Sequence, residues 1–155
     1  MATWWKRALL ILVVLGISYV LVAGSSPFKG FIGEWLRTES KIKIGGVHVA
    51  VQVMDTPKMR AQGLSGREKL SEREGMLFVF SEDDRHSFWM KDMRFPIDIV
   101  WLSQSGEVVD IQHSVSPDTY PTYSFAPQKV ARYVLELSAG WTRRHGVGIG
   151  DRVEL

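Results

Sequence analysis

An uninterrupted apolar run near the N-terminus is the most uniform hydrophobic pattern in the chain. Lys6 and Arg7 precede it, and the residues from 8 to 23 are nearly all apolar. Such a run is just long enough to cross about 30 Å of hydrocarbon as a helix. Because positively charged flanks stay in the cytoplasm, we expect the rest of the chain to be extracytoplasmic, tethered to the inner (cytoplasmic) membrane.

A cleaved signal peptide is the alternative interpretation of this segment, and it would release the domain into the periplasm. Small residues at positions 23 to 25 are suited to cleavage. An uncleaved anchor is favoured, because the run is longer than a usual signal core and Trp4 and Trp5 flank it. We expect an anchor or signal peptide over residues 1–27 and a linker over residues 28–40.

Short alternating segments separated by turn residues make up the rest of the chain. The first two are joined by Gly45 and Gly46, which predict a two-residue hairpin turn because glycine accepts positive φ. Further strands are predicted at GMLFVF, HSFWM, IDIVWL, EVVDIQHSV, VARYVLEL and GIGDRVEL.

Short helices are predicted between some of these strands. Thr56 and Pro57 are typical of a helix start, and Gly63 would end that helix after about two turns. A second short helix is predicted after Ser138, which would cap it. With about seven strands and two or three short helices, residues 41–155 are predicted to form one α+β domain. Its mainly antiparallel strands would form a compact barrel or sandwich.

Composition and charge exclude several classes of function. The chain has 155 residues with 45% hydrophobic content, which suits one core of ordinary size. The net charge of +2 comes from the first 40 residues, so the domain that follows is formally neutral. We therefore expect no nucleic-acid partner, because such a protein needs a concentrated basic surface. The absence of cysteine excludes disulfides, thiolate metal sites and a cysteine nucleophile.

Metal and cofactor motifs are also missing from the sequence. The four histidines are His48, His86, His113 and His145. None of them pair at the spacing of a zinc site, and there is no P-loop, so we expect no cofactor. A Cu(I) site remains an alternative, with thioether and imidazole ligands from Met76, His86, Met90 and Met93. Methionines among aromatic residues more often fill a core.

Three long blocks resemble successive blocks of one protein family. They are DTPKMRAQGLSGREKLSEREGMLFVF, HSFWMKDMRFPIDIVWL and ARYVLELSAGWTRRHGVGIGDRV. Their order and spacing resemble those of the bacterial and archaeal family called domain of unknown function 192. The resemblance implies a small, strand-rich single domain that commonly follows a signal peptide or anchor. It implies no particular reaction.

The resemblance extends to individual positions. The matching residues are Arg60, Gly63, Leu64, Arg67, Gly75, Met76, Leu77, Phe78, Phe88, Trp89, Met90, Lys91, Pro96, Asp98, Tyr133, Glu136 and Gly140. Three positions depart from the family pattern. Methionine is usual where Ser65 stands, and asparagine and threonine are usual where Asp92 and Met93 stand.

Charged residues inside the apolar block from 86 to 102 point to a candidate site. Asp98 lies between two isoleucines, and its burial without a partner would cost several kcal/mol or force protonation. Its candidate partners are Arg60, Arg67, Lys91 and Arg94. These charges would either line a pocket floored by Trp89 or form a structural ion pair.

Six residues are the candidate ligand contacts: Arg60, Arg67, Trp89, Lys91, Asp98 and Glu136. Arginine forks bind carboxylate or phosphate in two-pronged fashion, although helix-end contacts explain such arginines as well. The first hypothesis is a membrane-tethered module that binds a small polar or anionic ligand. The second is a hydrolase that uses Asp98 and Glu136 as paired carboxylates. The third is a protein–protein interaction module in which the charges are structural.

Overall fold

The computed structural model describes residues 39–155, which form a mixed sheet of six strands. The elements are β1 (Glu39–Ile44), β2 (Val47–Met54), α1 (Pro57–Gln62), β3 (Glu74–Asp84), β4 (Ile97–Leu102), β5 (Val108–Val115), a 3-10 turn (Pro117–Thr119), β6 (Ala131–Ser138) and α2 (Trp141–Arg144). The strand order is β1-β2-β3-β6-β4-β5. Only β2 and β3 run parallel, so the predicted mainly antiparallel α+β fold is confirmed.

The sheet is open rather than the closed barrel or sandwich that the strand pattern predicted. Strands β1 and β5 form its two edges and do not pair with each other. The predicted last strand makes only single bridges, from Glu154 to Lys43 and from Arg152 to Glu107. It therefore joins the two edges without the continuous ladder that a barrel needs.

Local signals correctly predicted the first hairpin and the first helix. Gly45 and Gly46 have φ values of 55° and 76°, as the two-residue turn between β1 and β2 requires. In α1, the amide of Met59 donates a 3.2 Å hydrogen bond to Oγ1 of Thr56. Gly63 follows the helix with φ of 48°, which a side chain would disfavour.

Two local predictions were wrong because tertiary contacts override them. The segment HSFWM makes one bridge, between Phe88 and Phe125, and forms no strand. Ser138 is the last residue of β6 and does not cap α2; its hydroxyl donates to Glu72 at 3.3 Å. The residue before α2 is instead Gly140, with φ of 72°.

Strand β4 lies between β6 and β5, and all six of its residues are buried. Because side chains alternate along a strand, it contributes to two separate apolar clusters. One face of the sheet, called face A here, carries Val100 and Leu102, which join the cluster that contains Trp141. The opposite face, called face B, carries Ile99 and Trp101, which join the other cluster. The two faces determine where each candidate residue of the site lies.

The predicted anchor at 1–27 lies outside the described residues. So does the predicted linker, except for its last two residues, which begin β1. Within residues 39–155, no helix has the length and apolarity needed to span a membrane.

Candidate functional site

A cavity of about 240 Å³ opens on face B beside α1, β3 and the loop that follows β3. Much of its wall is aromatic, from Phe78, Phe80, Phe88 and Trp89. Its ionisable lining residues are Arg60, Lys91 and Glu136. An apolar concave surface with a few convergent polar groups is the usual form of a small-molecule site.

Glu136 is the most unusual residue of this cavity. It lies on β6 between Met76 of β3 and Ile99 of β4, both of which are buried. The residue is only 5% exposed, and its Oε2 has no hydrogen-bond partner among the described residues. Burial raises the pKa of Glu136 to about 8, although the positive charge of Arg67 acts in the opposite direction. The carboxyl group is therefore largely neutral at pH 7.

Arg67 is close enough to influence Glu136 but does not line its cavity. Its guanidinium donates a hydrogen bond to Oε1 of Gln52. Burial lowers the pKa of Arg67, while the carboxylates of Glu74 and Glu136 oppose that shift. Arg67 lines a second cavity, of about 310 Å³, together with Gln52 and Glu74.

Arg60 is held rigidly at the wall of the cavity around Glu136. Its Nη1 donates to the carbonyl oxygens of Asp55 and Val79, at 2.8 and 2.9 Å. The guanidinium carbon lies 4.9 Å from the ring centroid of Phe80. The ring of His86 also stacks on Phe80, at 3.5 Å between centroids. These contacts place a fixed positive charge beside an aromatic surface.

Trp89 and Lys91 belong to an exposed loop that the α1–β3 connection holds in place. The carbonyl of Lys91 accepts a 3.0 Å hydrogen bond from Oγ of Ser65. The carbonyl of Asp92 accepts from the amide of Gly66 at 2.9 Å. Asp92 has φ of 55°, a conformation that asparagine and aspartate tolerate. Asp92 therefore preserves the turn, although asparagine is usual at this position in the family pattern.

Asp98 does not line this cavity. It is completely buried on face A and accepts four hydrogen bonds. The amides of Ser114 and Gly140 donate to Oδ1, both at 2.8 Å. The amide and hydroxyl of Thr142 donate to Oδ2, at 2.9 and 2.6 Å.

None of the four cations predicted as partners binds Asp98. Burial favours a raised pKa for Asp98, but the Thr142 hydroxyl and the amides of Ser114, Thr142 and Gly140 outweigh it and hold the pKa below its usual value. Arg94, one of the predicted partners, forms an ion pair with Glu68 instead.

Asp98 and Glu136 lie on opposite faces of the sheet. In the β4–β6 ladder, Asp98 is paired with Leu137, whereas Glu136 is paired with Ile99. Leu137 belongs to the cluster on face A and Ile99 to the cluster on face B. Asp98 and Glu136 therefore do not form the pair of carboxylates that the hydrolase hypothesis assigned to them, because one substrate cannot contact both groups.

The structure thus brings together four of the six predicted residues: Arg60, Trp89, Lys91 and Glu136 line one cavity. Sequence reasoning missed its phenylalanine walls. The alternation of Phe78 and Phe80 in β3, on the same face as Met76, was the signal that could have found two of them. Phe88 is placed by its bridge to Phe125, which has no local sequence signal.

Within residues 39–155, no three His, Asp or Glu side chains are grouped to hold a metal ion. Among the predicted Cu(I) ligands, Met76 and Met90 are each 1% exposed and belong to the apolar cluster on face B.

An open mixed sheet with an aromatic cavity around a buried acid defines this protein as a small α+β domain with a candidate ligand site. Residues 40–155 match the family model of domain of unknown function 192, described as "Uncharacterized ACR". The chain belongs to this family, as its sequence blocks indicated. No curated protein matches the chain.

The solved structures that are similar to this domain include the following two. One is a protein from Sinorhizobium meliloti 1021 with the provisional description of a transcription regulator. It has a TM-score of 0.70 and 29% identity, and the match covers 76% of this chain and 94% of that one. The other is a protein of unknown function from Novosphingobium aromaticivorans DSM 12444. It has a TM-score of 0.66 and 26% identity, and the match covers 74% of this chain and 82% of that one.

Proposed function

We propose that the protein is an extracytoplasmic, membrane-tethered module that binds a small polar or anionic ligand in the cavity around Glu136. The observation that carries the proposal is the buried carboxyl oxygen of Glu136, which has no hydrogen-bond partner among the described residues. Leaving a buried polar group unpaired costs about 1–3 kcal/mol. A ligand that enters the cavity would supply the missing hydrogen bond and so remove this cost. An unpaired buried oxygen in a cavity wall is therefore what a binding role predicts.

The charges and aromatic rings of the cavity support the same class of ligand. Arg60 and Lys91 are both cationic, so they favour a ligand with a negative group. Trp89 is 61% exposed, and an exposed large aromatic ring beside a cavity provides contact area for a ligand. The extracytoplasmic location is proposed from the apolar N-terminal run and its positive flank.

The proposal is tested by thermal unfolding of the full chain in mild detergent, with acetate, 4-hydroxybenzoate and glucose 6-phosphate as probes. A ligand at 100 times its Kd adds about 2.7 kcal/mol of stability, which raises Tm by several degrees. We expect at least one probe to raise Tm in the natural protein and in a Glu107→Gln control. Glu107 is exposed and does not line the cavity.

The shift from that probe should be clearly smaller in Glu136→Met, because methionine fills a similar volume but offers only a weak acceptor. Two results would contradict the proposal: no probe raises Tm in the natural protein, or the shift persists unchanged in Glu136→Met.

A further inference from the structure

We propose that the cavity selects a small planar aromatic acid with a hydroxyl group opposite its carboxylate, and that the hydroxyl enters first, toward Glu136. This inference rests on the proposed function and specifies the ligand class. It follows from three features of the cavity: the depth of its polar groups, the shape of its walls and the chemistry available at Glu136.

The polar groups of the cavity are separated by depth. Glu136, on a central strand, is only 5% exposed, whereas Trp89 is 61% exposed and its neighbour Lys91 is also exposed. The acid therefore lies at the inner end of the cavity, and the lysine lies at the mouth. A ligand that satisfies both must carry two different polar groups at opposite ends.

The walls between these ends favour a flat apolar ring. The rings of Phe78 and Phe88 meet edge to face, with centroids 4.8 Å apart at 86°. Phe80 and Phe88 do the same at 6.4 Å and 83°. A further aromatic ring in such a cluster is stabilised by edge contacts in addition to the burial of its apolar area. Gly63 lies against this wall, since a Cβ added there would be in ordinary van der Waals contact with Phe78 at 3.4 Å.

The inner end of the cavity suits a hydroxyl better than a charge. A neutral carboxyl group can donate one hydrogen bond and accept others, and a hydroxyl group has the complementary capacity. A ligand carboxylate beside Glu136 would instead be buried at high cost. Arg67, the cation whose field reaches Glu136, already donates to Gln52.

The mouth of the cavity suits an anion better than a cation. Lys91 is exposed there, and the guanidinium of Arg60 already lies over the ring of Phe80. These positive charges would repel a cationic ligand and attract a carboxylate. The carboxylate would also keep part of its hydration at the mouth, so its burial costs little.

The test is calorimetric titration of the full chain in mild detergent with 4-hydroxybenzoate, benzoate and phenol. We expect 4-hydroxybenzoate to bind about tenfold more tightly than benzoate, because it alone of the two acids supplies a hydroxyl for Glu136. Glu136→Met should abolish that preference, whereas Glu136→Gln should retain most of it, since an amide also donates and accepts. Glu107→Gln serves as the control and should bind like the natural protein.

The contribution of the mouth is measured with a second pair of variants. Lys91→Met should weaken both acids about threefold at low salt, with a smaller effect at high salt and none on phenol. Lys129→Met is the matched control, because Lys129 is exposed and absent from the cavity lining. An equal effect of the two lysine variants would overturn the orientation.

The ligand class and the proposed function fail in different ways. If benzoate binds the natural protein as tightly as 4-hydroxybenzoate, or if the preference survives in Glu136→Met, the aromatic hydroxy acid is wrong. The proposed function would still stand on any other probe whose binding Glu136→Met removes. If acetate, glucose 6-phosphate and the three aromatic probes all fail to bind, both proposals are overturned.

Discussion

Two buried carboxyl groups of this domain have opposite environments. Asp98 accepts four hydrogen bonds, and these hold its pKa below the usual value despite burial. Glu136 is buried almost as fully, but its Oε2 has no partner among the described residues and its pKa is raised to about 8. The contrast separates a carboxylate whose hydrogen bonds are satisfied within the fold from the carboxyl group on which the proposed function rests.

The pKa of Glu136 predicts a fall in stability as pH rises. The folded state keeps its proton up to about pH 8, whereas the unfolded state loses it near 4.5, so the folded state binds more protons between these values. Glu136 should therefore lower the free energy of unfolding by roughly 1.4 kcal/mol per pH unit in that window. Arg67 stays charged throughout and adds no slope of its own.

The measurement compares urea unfolding of the natural protein and Glu136→Gln across the same pH range. Glutamine has nearly the same shape and does not titrate, so the variant should lack the Glu136 slope and be the more stable protein at about pH 8. Parallel pH profiles for the two proteins would refute the assignment of a raised pKa to this residue.

At the scale of elements, Asp98 joins three parts of the fold. Its donor Ser114 has φ of 50° and lies where the β4–β5 register shifts, between Ile97 and Ile99. Its other donors, Gly140 and Thr142, are at the start of α2. One carboxylate therefore holds a β-bulge and the entry of a helix in place, as bulges and helix ends both need partners for their amides.

Asp98→Asn should be strongly destabilising, because it replaces one acceptor oxygen with a donor that faces other donors. We expect a loss of about 3 kcal/mol or more in the free energy of unfolding, measured in urea near neutral pH. The difference should shrink in acid, as the natural carboxylate is protonated below its lowered pKa.

Asp92→Asn is the matched control, because Asp92 is exposed and asparagine tolerates its left-handed conformation. Equal stability losses in the two variants would show that the hydrogen bonds to Asp98 contribute nothing.

At the scale of the whole domain, the C-terminal segment connects the two edges of the sheet. Near β1, the amides and carbonyls of Lys43 and Glu154 exchange two hydrogen bonds of 2.9 Å. Near β5, the amide of Val153 donates to the carbonyl of Gly106, and the amide of Val108 donates to Asp151, both at 2.8 Å. The segment thus shields backbone groups at edges that would otherwise remain unpaired.

Gly106→Ala should disrupt this connection. A Cβ at Gly106 would lie 2.5 Å from the carbonyl oxygen of Val153, and the residue has φ of 82°. Gly66→Ala is the control, because Gly66 has a similar φ of 77° but nothing within 4 Å of an added Cβ.

Both alanines suffer the same backbone strain, so the difference between them isolates the clash. We expect Gly106→Ala to lose about 2 kcal/mol more than Gly66→Ala in urea unfolding. Equal losses of stability in the two variants would mean that the C-terminal segment shifts to relieve the clash at no measurable cost.

Part of this domain could be predicted because its signals are local. The turn at Gly45 and Gly46, the start of α1 at Thr56 and the strand IDIVWL depend on neighbours a few residues away. The candidate site could be predicted only in part, because alternation tells which residues share a face of one strand but not which face of the next strand it joins. Asp98 was therefore grouped with Lys91, although it lies on the opposite face from the cavity.

By itself, the sequence determined most of the local elements, the family and the formal neutrality of the domain, since these follow from short-range pattern and composition. The tertiary structure decided the rest: the strand order, the open edges and the separation of Asp98 from Glu136. These depend on pairing between segments far apart in the chain, as when Ile99 is placed beside Glu136. Only that pairing buries one carboxyl group without a partner and surrounds the other with donors.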